Sequence, residues 1–454
     1  MKTFAIAAVL AATAAATPAS IEKRAITPVT VKGNAFFAGD KRFYIRGVDY
    51  QPGGASDAKD PIADTAGCKR DIVKFKELGI NTIRVYTVDN TANHDECMNA
   101  LADAGIYLAL DVNTPLYSIR RDKPAPSYNK VYLQSIFATV EAFAKYDNTL
   151  LFYSANEVIN DDATTNCAPY VKAVTRDIKS YINARKLRKI PVGYSAADVD
   201  TNRYEMAAYM NCGDDAVRSD FFAFNDYSWC DPSDFKTSGW DQKIQKFKDY
   251  SIPIFLSEFG CVTNKRQFNE IASIYGSDMT SVYSGGLVYE YSKELQGQDP
   301  VQPKYGLYDI KEDKKTDDFT TLKNAFSKTP NPSGDGGYKS NGVASKCPTK
   351  SNTWNVTISA NQLPAFPKGA DEYLKNGCGS GPGLKGTGSQ EAGGDTTLAG
   401  ESDGAVTSGS SSSSGSSGSQ GAAASLRPGE FGIGPFVCGA VVLISTLLGG
   451  SLIL

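Results

Sequence analysis

The sequence predicts an α/β fold closed as a (β/α)8 TIM barrel, and three observations predict it. Short apolar runs alternate with longer amphipathic stretches from Phe36 to about Lys328. Several runs are apolar nearly throughout, such as Leu150-Leu151-Phe152-Tyr153 and Ile252-Pro253-Ile254-Phe255-Leu256. That is the pattern of parallel strands covered on both faces. Eight such runs spread over roughly 300 residues match a barrel better than a doubly wound sheet.

The expected strands are Arg42–Val48, Thr82–Val88, Tyr107–Val112, Leu150–Ala155, Ile190–Tyr194, Phe221–Asn225, Ile252–Leu256 and Gly286–Tyr291. Between them the helical candidates are Asp64–Leu78, His94–Ala104, Tyr128–Tyr146, Cys167–Arg185, Asp241–Tyr250 and Arg266–Met279. Gly79 and Gly105 follow two of these where a C-cap is wanted. No Gly-x-Gly-x-x-Gly or P-loop sequence follows any strand, which disfavours nucleotide binding.

Composition removes several functional classes. Forty-seven basic residues against 50 acidic ones, a formal net charge of −3, leave no electrostatic footprint for a nucleic-acid partner. His94 is the single histidine of the chain, which argues against a histidine-rich zinc site or a Ser-His-Asp triad. No metal or cofactor is expected, so catalysis must come from carboxylates, tyrosines, amides or cysteines.

Both ends read as processing signals. Lys2 is followed by an uncharged, Ala-rich run to Ser20, the pattern of a secretory signal peptide. Its competitor, a first helix of the fold, suffers from residues too small to pack a core. Lys23-Arg24 then forms a dibasic trimming site. At the far end Phe431 to Leu454 carries no charge, behind the polar Leu426–Glu430 and the small residues Gly421–Ser425. Small residues, polar spacer and apolar tail together form a GPI-attachment signal. A retained anchor helix is the alternative, and it lacks any basic residue beyond the apolar run. Ser408 to Ser419 is wholly Ser and Gly, too poor in apolar surface to offset ordering entropy. An O-glycosylated stalk is expected there, and Asn355-Val356-Thr357 is an N-glycosylation sequon suited to a surface loop.

The resulting organisation is a signal peptide over 1–20, a dibasic pro-segment over 21–24 and a barrel over 25–330. An extension packed on the barrel follows over 331–378, then a flexible Ser/Gly-rich linker over 379–425 and a removable anchor signal over 426–454. Export suits the nine cysteines: Cys438 lies in the removable tail, leaving an even number to pair in an oxidising compartment. None shows CxxC spacing.

In such barrels polar residues at the C-terminal strand ends face the active site. Those ends carry Asp49-Tyr50-Gln51, Tyr86, Asp111 with Asn113, Asn156-Glu157, Asp198, Tyr227-Trp229, Glu258, and Tyr289 with Tyr291. Glu157 and Glu258 each directly end a long apolar run, where a glutamate is expensive to bury unless paired or functional. A rim salt bridge is the plain alternative for either one alone. Together, at one barrel mouth, they suggest glycosidic-bond chemistry. Retaining glycosidases hold two carboxyls about 5–5.5 Å apart, one attacking the anomeric carbon while the other protonates the leaving oxygen.

Six blocks extend this reading to a family: Gly47-Val48-Asp49-Tyr50-Gln51-Pro52, Arg84-Val85-Tyr86, Leu101–Tyr107, Ile190–Ser195, Ser257-Glu258-Phe259-Gly260-Cys261 and Ser284–Tyr289. Together with Asn156-Glu157, they resemble the fungal GPI-anchored β-1,3-glucanosyltransferases of glycoside hydrolase family 72, over roughly residues 26–330 and the tethering tail. The resemblance implies Glu157 as general acid/base, Glu258 as nucleophile, and Asn156 bonding the sugar 2-hydroxyl. Gln51, Tyr86, Asp111, Asn113, Tyr117, Arg121, Asp198, Arg203, Tyr227 and Tyr289 would contact glucan, the loop from Asn113 to Arg121 aligning only loosely. For each tyrosine alone, barrel packing competes with sugar stacking.

The same resemblance implies disulfides Cys68–Cys97, Cys212–Cys347 and Cys230–Cys261. It leaves Cys167 and Cys378, which either pair with each other or mark a wrong assignment. Only Cys347 and Cys378 follow the barrel before the stalk, so the cysteine-rich carbohydrate-binding module of longer members is absent. The implied activity is transfer: a β-1,3-glucan cut internally and joined to a second glucan, by a monomer on the outer face of the plasma membrane and in the cell wall. A β-1,3-glucan hydrolase with the same glutamates, or a glucan-binding wall protein with an inactive barrel, are the rival readings.

Overall fold

The computed structural model describes residues 26–54, 58–293, 305–357 and 362–392. The expected signal peptide, pro-segment and anchor signal lie outside these ranges, as does the linker beyond Ala392. Three short antiparallel strands, β1 (Val29–Lys32), β2 (Ala35–Ala38) and β3 (Lys41–Phe43), precede the barrel. Eight parallel strands then close on themselves: β4 (Ile45–Asp49), β5 (Thr82–Val85), β6 (Tyr107–Asp111), β7 (Thr149–Asn156), β8 (Val192–Ala197), β9 (Phe221–Asp226), β10 (Ile254–Phe259) and β11 (Tyr283–Val288). Closure joins β11 to β4 with Gly285 opposite Ile45 and Val288 opposite Val48.

Each expected strand is present, with differences at the ends. The first expected run, Arg42–Val48, divides at Tyr44 into β3 and β4, because the small sheet folds under the barrel. Phe36 from β2 is fully buried there, its ring 6.3 Å from Phe221 and 5.8 Å from Phe255. The hairpin thereby plugs the N-terminal end and leaves the C-terminal end open for chemistry.

The helices follow their local chemistry. Asp64 caps Thr65–Leu78 by accepting the Gly67 N–H, and Gly79 ends it at φ 72°. Arg203–Asn211 and Asp317–Lys328 are helices that the periodicity did not predict. The second carried its start signal openly, since Thr316 accepts the Phe319 N–H and Asp317 and Asp318 fill the first turn. The expected helix Arg266–Met279 is two short pieces, Glu270–Ile274 and Ser277–Thr280, separated at Gly276.

Beyond the barrel the chain wraps its outer face. A disulfide joins Cys347 to Cys212 across 135 residues, and two others join Cys68 to Cys97 and Cys230 to Cys261. Trp354 is fully buried against Tyr209, ring centroids 5.5 Å apart. Asn355 stands exposed on the same turn. Cys167 and Cys378 are both buried and free, the first beside the Arg121 carbonyl and the second beside Glu141. The packed chain continues past Cys378, the expected end of the extension, into the expected linker as far as Ala392. The reason is hydrogen bonding: Ser389 N–H donates to the Leu116 carbonyl at 2.9 Å, and Asn129 Nδ2 to the Ser389 carbonyl at 2.6 Å.

Burial of Trp354 makes the extension part of the folding unit. Trp354→Ala should therefore destabilise the whole protein by about 3–5 kcal/mol. A single denaturant transition at lower midpoint is expected; an unchanged barrel transition beside a separately melting extension would disprove it.

Candidate active site

The mouth of the barrel is organised around one buried cation. Arg84, on β5, is fully buried and points inward, opposite Asp49 in the strand register. Its Nε donates to Asp111 Oδ2 at 2.8 Å and its Nη2 to Asp111 Oδ1 at 3.3 Å. Its Nη1 reaches Glu258 Oε1 and the Ser257 carbonyl, each at 3.2 Å. The rings of Tyr86 and Tyr153 lie 4.1 and 4.5 Å from the guanidinium carbon.

Glu258 is thereby held at both oxygens. The Tyr86 hydroxyl donates to Oε1 at 2.7 Å and the Tyr227 hydroxyl to Oε2 at 2.7 Å. Burial raises its carboxyl to about 7; Arg84 pulls it down and the charge of Glu157 pushes it further up. Burial likewise lifts both tyrosine hydroxyls well above the phenol range, so they remain donors. Asp49, fully buried, is raised well above the carboxylate range by burial first and by the charges of Glu258 and Glu290 after it.

Glu157 follows β7 in the left-handed region, at φ 47°, a conformation that costs a non-glycine residue about 1–3 kcal/mol. Its N–H donates to the Ser195 carbonyl at 2.9 Å, and Arg121 Nη2 donates to the Glu157 carbonyl at 2.6 Å. Its side chain accepts from Asn225 Nδ2 at 2.8 Å. Asn225 is the register partner of Glu258, and its Oδ1 accepts from Ser257 Oγ at 2.8 Å. One amide thus ties Glu157 to Ser257, the residue before Glu258, across β9 and β10. Both glutamate strands also carry a register shift just before the glutamate, between Tyr153 and Ala155 and between Leu256 and Glu258. Such bulges re-aim the side chains that follow them.

The remaining expected site residues divide into two groups. Asn156 lies beside the pair, its Oδ1 accepting from Ser195 Oγ at 2.7 Å. Tyr289 meets Tyr227 at 6.4 Å and Tyr305 at 5.1 Å, forming an aromatic wall next to Glu258. Gln51 is half-buried after β4, its carbonyl accepting from the Gly54 N–H at 2.9 Å. Asp198 is engaged by Arg203 and, at 2.7 Å, by Lys243, in a buried ionic cluster. Asn113 spends its amide within the protein, donating to the Ser154 carbonyl and accepting from Tyr132, each at 2.7 Å.

Tyr117 differs most from its expected place on sugar. It is 1% exposed, and the 386–388 segment covers its hydroxyl. Arg121 holds backbone rather than facing open space. Asn225, Arg84 and Tyr305 were not singled out as site residues. Asn225 and Arg84 occupy strand positions where a polar residue in an apolar run was the available sign, whereas Tyr305 lies outside the strands.

A carboxyl raised from its usual 4.5 to about 7 binds its proton in the native state across a range where the unfolded chain has lost it. Stability from this group is therefore full below about pH 4.5 and declines as pH rises toward 7. Glu258→Gln removes this titrating group and should flatten that decline. Thermal unfolding of both forms from pH 4 to 8 checks this, and parallel curves would refute it.

Comparisons with known proteins agree with this arrangement. A family model described as a glucanosyltransferase matches residues 18–330. The 1,3-beta-glucanosyltransferase gel1 of Aspergillus fumigatus is 61% identical over 460 residues, covering all of both chains. The 1,3-beta-glucanosyltransferase PGA4 of Candida albicans is 55% identical over 357 residues, 77% of each chain. The structure of Saccharomyces cerevisiae Gas2 in complex with laminaritetraose and laminaripentaose aligns with a TM-score of 0.68 at 36% identity, covering 77% of this chain and 76% of that one. With a family model spanning well over half of its length and a relative alike from end to end, the chain belongs to the family 72 glucanosyltransferases.

Proposed function

We propose that this protein is a retaining 1,3-β-glucanosyltransferase. It cleaves a β-1,3-glucan internally and transfers the new reducing end to the non-reducing end of a second β-1,3-glucan, elongating wall glucan. The observation that carries the reading is the pair Glu157 and Glu258 at the open end of the barrel, with Asn225 bonding the Glu157 carboxylate from the register position beside Glu258. The chain's likeness to the 1,3-beta-glucanosyltransferases gel1 and PGA4 supports transfer, and the laminari-oligosaccharides bound to Gas2 support a β-1,3-glucan as substrate.

Glu258 attacks the anomeric carbon while protonated Glu157 gives its proton to the departing glycosidic oxygen. A glycosyl ester on Glu258 results, and the reducing-end fragment leaves with its new hydroxyl. Glu157, now ionised, takes the proton of an acceptor 3-hydroxyl, whose oxygen displaces Glu258 and restores a β bond. In the first step Arg84, Tyr86 and Tyr227 hold the attacking carboxylate. As the ester forms, the negative charge that they stabilised disappears, so their hydrogen bonds orient the nucleophile while limiting its reactivity. Tyr227, Tyr289 and Tyr305 offer ring faces for sugar stacking beside the ester. Transfer outruns hydrolysis tenfold for each ~1.4 kcal/mol by which the acceptor transition state is favoured over that of water.

The uncharged N-terminal run and the C-terminal tail support export and GPI attachment at the outer face of the plasma membrane. The exposure of Asn355 supports N-glycosylation there.

Incubation with one reduced laminari-oligosaccharide should give products longer than the starting chain. Only shorter products would make the protein a hydrolase. Glu258→Gln should abolish both without unfolding the barrel, and retained turnover would remove Glu258 as nucleophile. Loss of the Tyr227 donor in Tyr227→Phe weakens the hold on the ionised form of Glu258. Its carboxyl should rise further, moving the acidic limb of kcat/KM up by about one pH unit; an unmoved limb would oppose this.

A further inference from the structure

The C-terminal chain does more than wrap the barrel: it returns to the active-site end. Residues 386–391 lie along the loop from Pro115 to Arg121. The Gly388 N–H donates to the Tyr117 hydroxyl at 3.3 Å and the Ser389 N–H to the Leu116 carbonyl at 2.9 Å. Gln390 Nε2 donates to the Pro115 carbonyl at 2.8 Å and to Ser118 Oγ at 3.0 Å. Glu391 accepts from Arg120. Ser389 is fully buried, in a stretch whose composition reads as linker.

Shape limits this contact to glycine at two points. A methyl group at Gly386 would overlap the Tyr117 hydroxyl. Gly388 has φ +88°, and a Cβ there would meet the Leu116 carbonyl oxygen at 3.0 Å.

The loop's last residue is Arg121, whose Nη2 donates to the Glu157 carbonyl at 2.6 Å and whose Nε donates to the Val158 carbonyl at 3.1 Å. Those bonds fall on the one strained residue of the catalytic pair, Glu157 at φ 47°. Strain of that kind persists only where the surroundings over-determine it.

We propose that residues 386–391 form a positioning strap, which holds the 115–121 loop and, through Arg121, the backbone of Glu157. The strap acts through the loop and touches no reacting atom. This rests on the reading of Glu157 as acid/base and adds an element beyond the family-matched segment 18–330 to the catalytic apparatus.

Two variants test it in the full-length protein. Gly386→Val pries the strap from Tyr117, and the double variant Gln390→Ala/Glu391→Ala removes two half-buried or exposed anchors without emptying the core. Each is compared with wild type on a laminari-oligosaccharide and on a laminari-oligosaccharide carrying a 2,4-dinitrophenyl leaving group. Dinitrophenolate departs as the anion when the Glu258 ester forms, so its release needs no proton from Glu157. The expected result is a fall of about tenfold in kcat on the unmodified oligosaccharide, with KM changed less than about twofold and the dinitrophenolate burst unchanged. Equal losses on both substrates, a change confined to KM, or no loss in either variant would overturn the strap. Failure of wild type to lengthen the oligosaccharide would instead strike the proposed function, because the strap is read from the ratio of variant to wild type.

Discussion

Everything at the mouth of this barrel depends on Arg84 being buried with its charge intact. A guanidinium withdrawn from water is costly unless its donors are met, and unpairing one partner of such a cluster is far worse than replacing the whole. Asp111 takes two donors, Glu258 and the Ser257 carbonyl take a third, and two tyrosine faces cover the plane. Because the guanidinium is rigid, these contacts fix the carboxylate of Glu258 in direction as well as in charge. Burial and the neighbouring acids Glu258 and Glu290 raise the Asp49 carboxyl beside it, against the pull of Arg84.

That fixed cation explains the asymmetry of the two glutamates. Glu258 is 8% exposed and held at both oxygens by donors that favour its attacking, ionised form against the burial that raises its carboxyl. Glu157 is more open and takes its side-chain bond from a neutral amide, Asn225. A group that exchanges a proton in each half of a double displacement needs solvent or acceptor access. The difference between them is set by neighbours, since the two side chains are chemically the same.

The rest of the fold supports this centre from a distance. The N-terminal hairpin fills the far end of the barrel with Phe36, so the interior is packed and only one mouth is open. The Cys230–Cys261 disulfide ties the loops after β9 and β10, the strands that carry Asn225 and Glu258. The wrapping extension covers the helices on the side of Tyr209, Phe137 and Tyr181. Stability and site geometry thus draw on the same covalent and packed connections.

Much of this was written in local pattern. Period and apolar continuity determined the eight strands, because a strand buried on both faces has few polar alternatives. Glu157 and Glu258 stood out for the same reason, each an acid ending an apolar run. What only the tertiary structure decided is which polar group meets which: that Arg84 serves Asp111 and Glu258, that Asn225 bonds Glu157 from beside Glu258, and that Tyr117 lies under the strap of residues 386–391. Those contacts join residues up to 271 positions apart and hang on bulges in β7 and β10. A one-residue shift in register reverses the direction of a side chain, and no window of sequence records it.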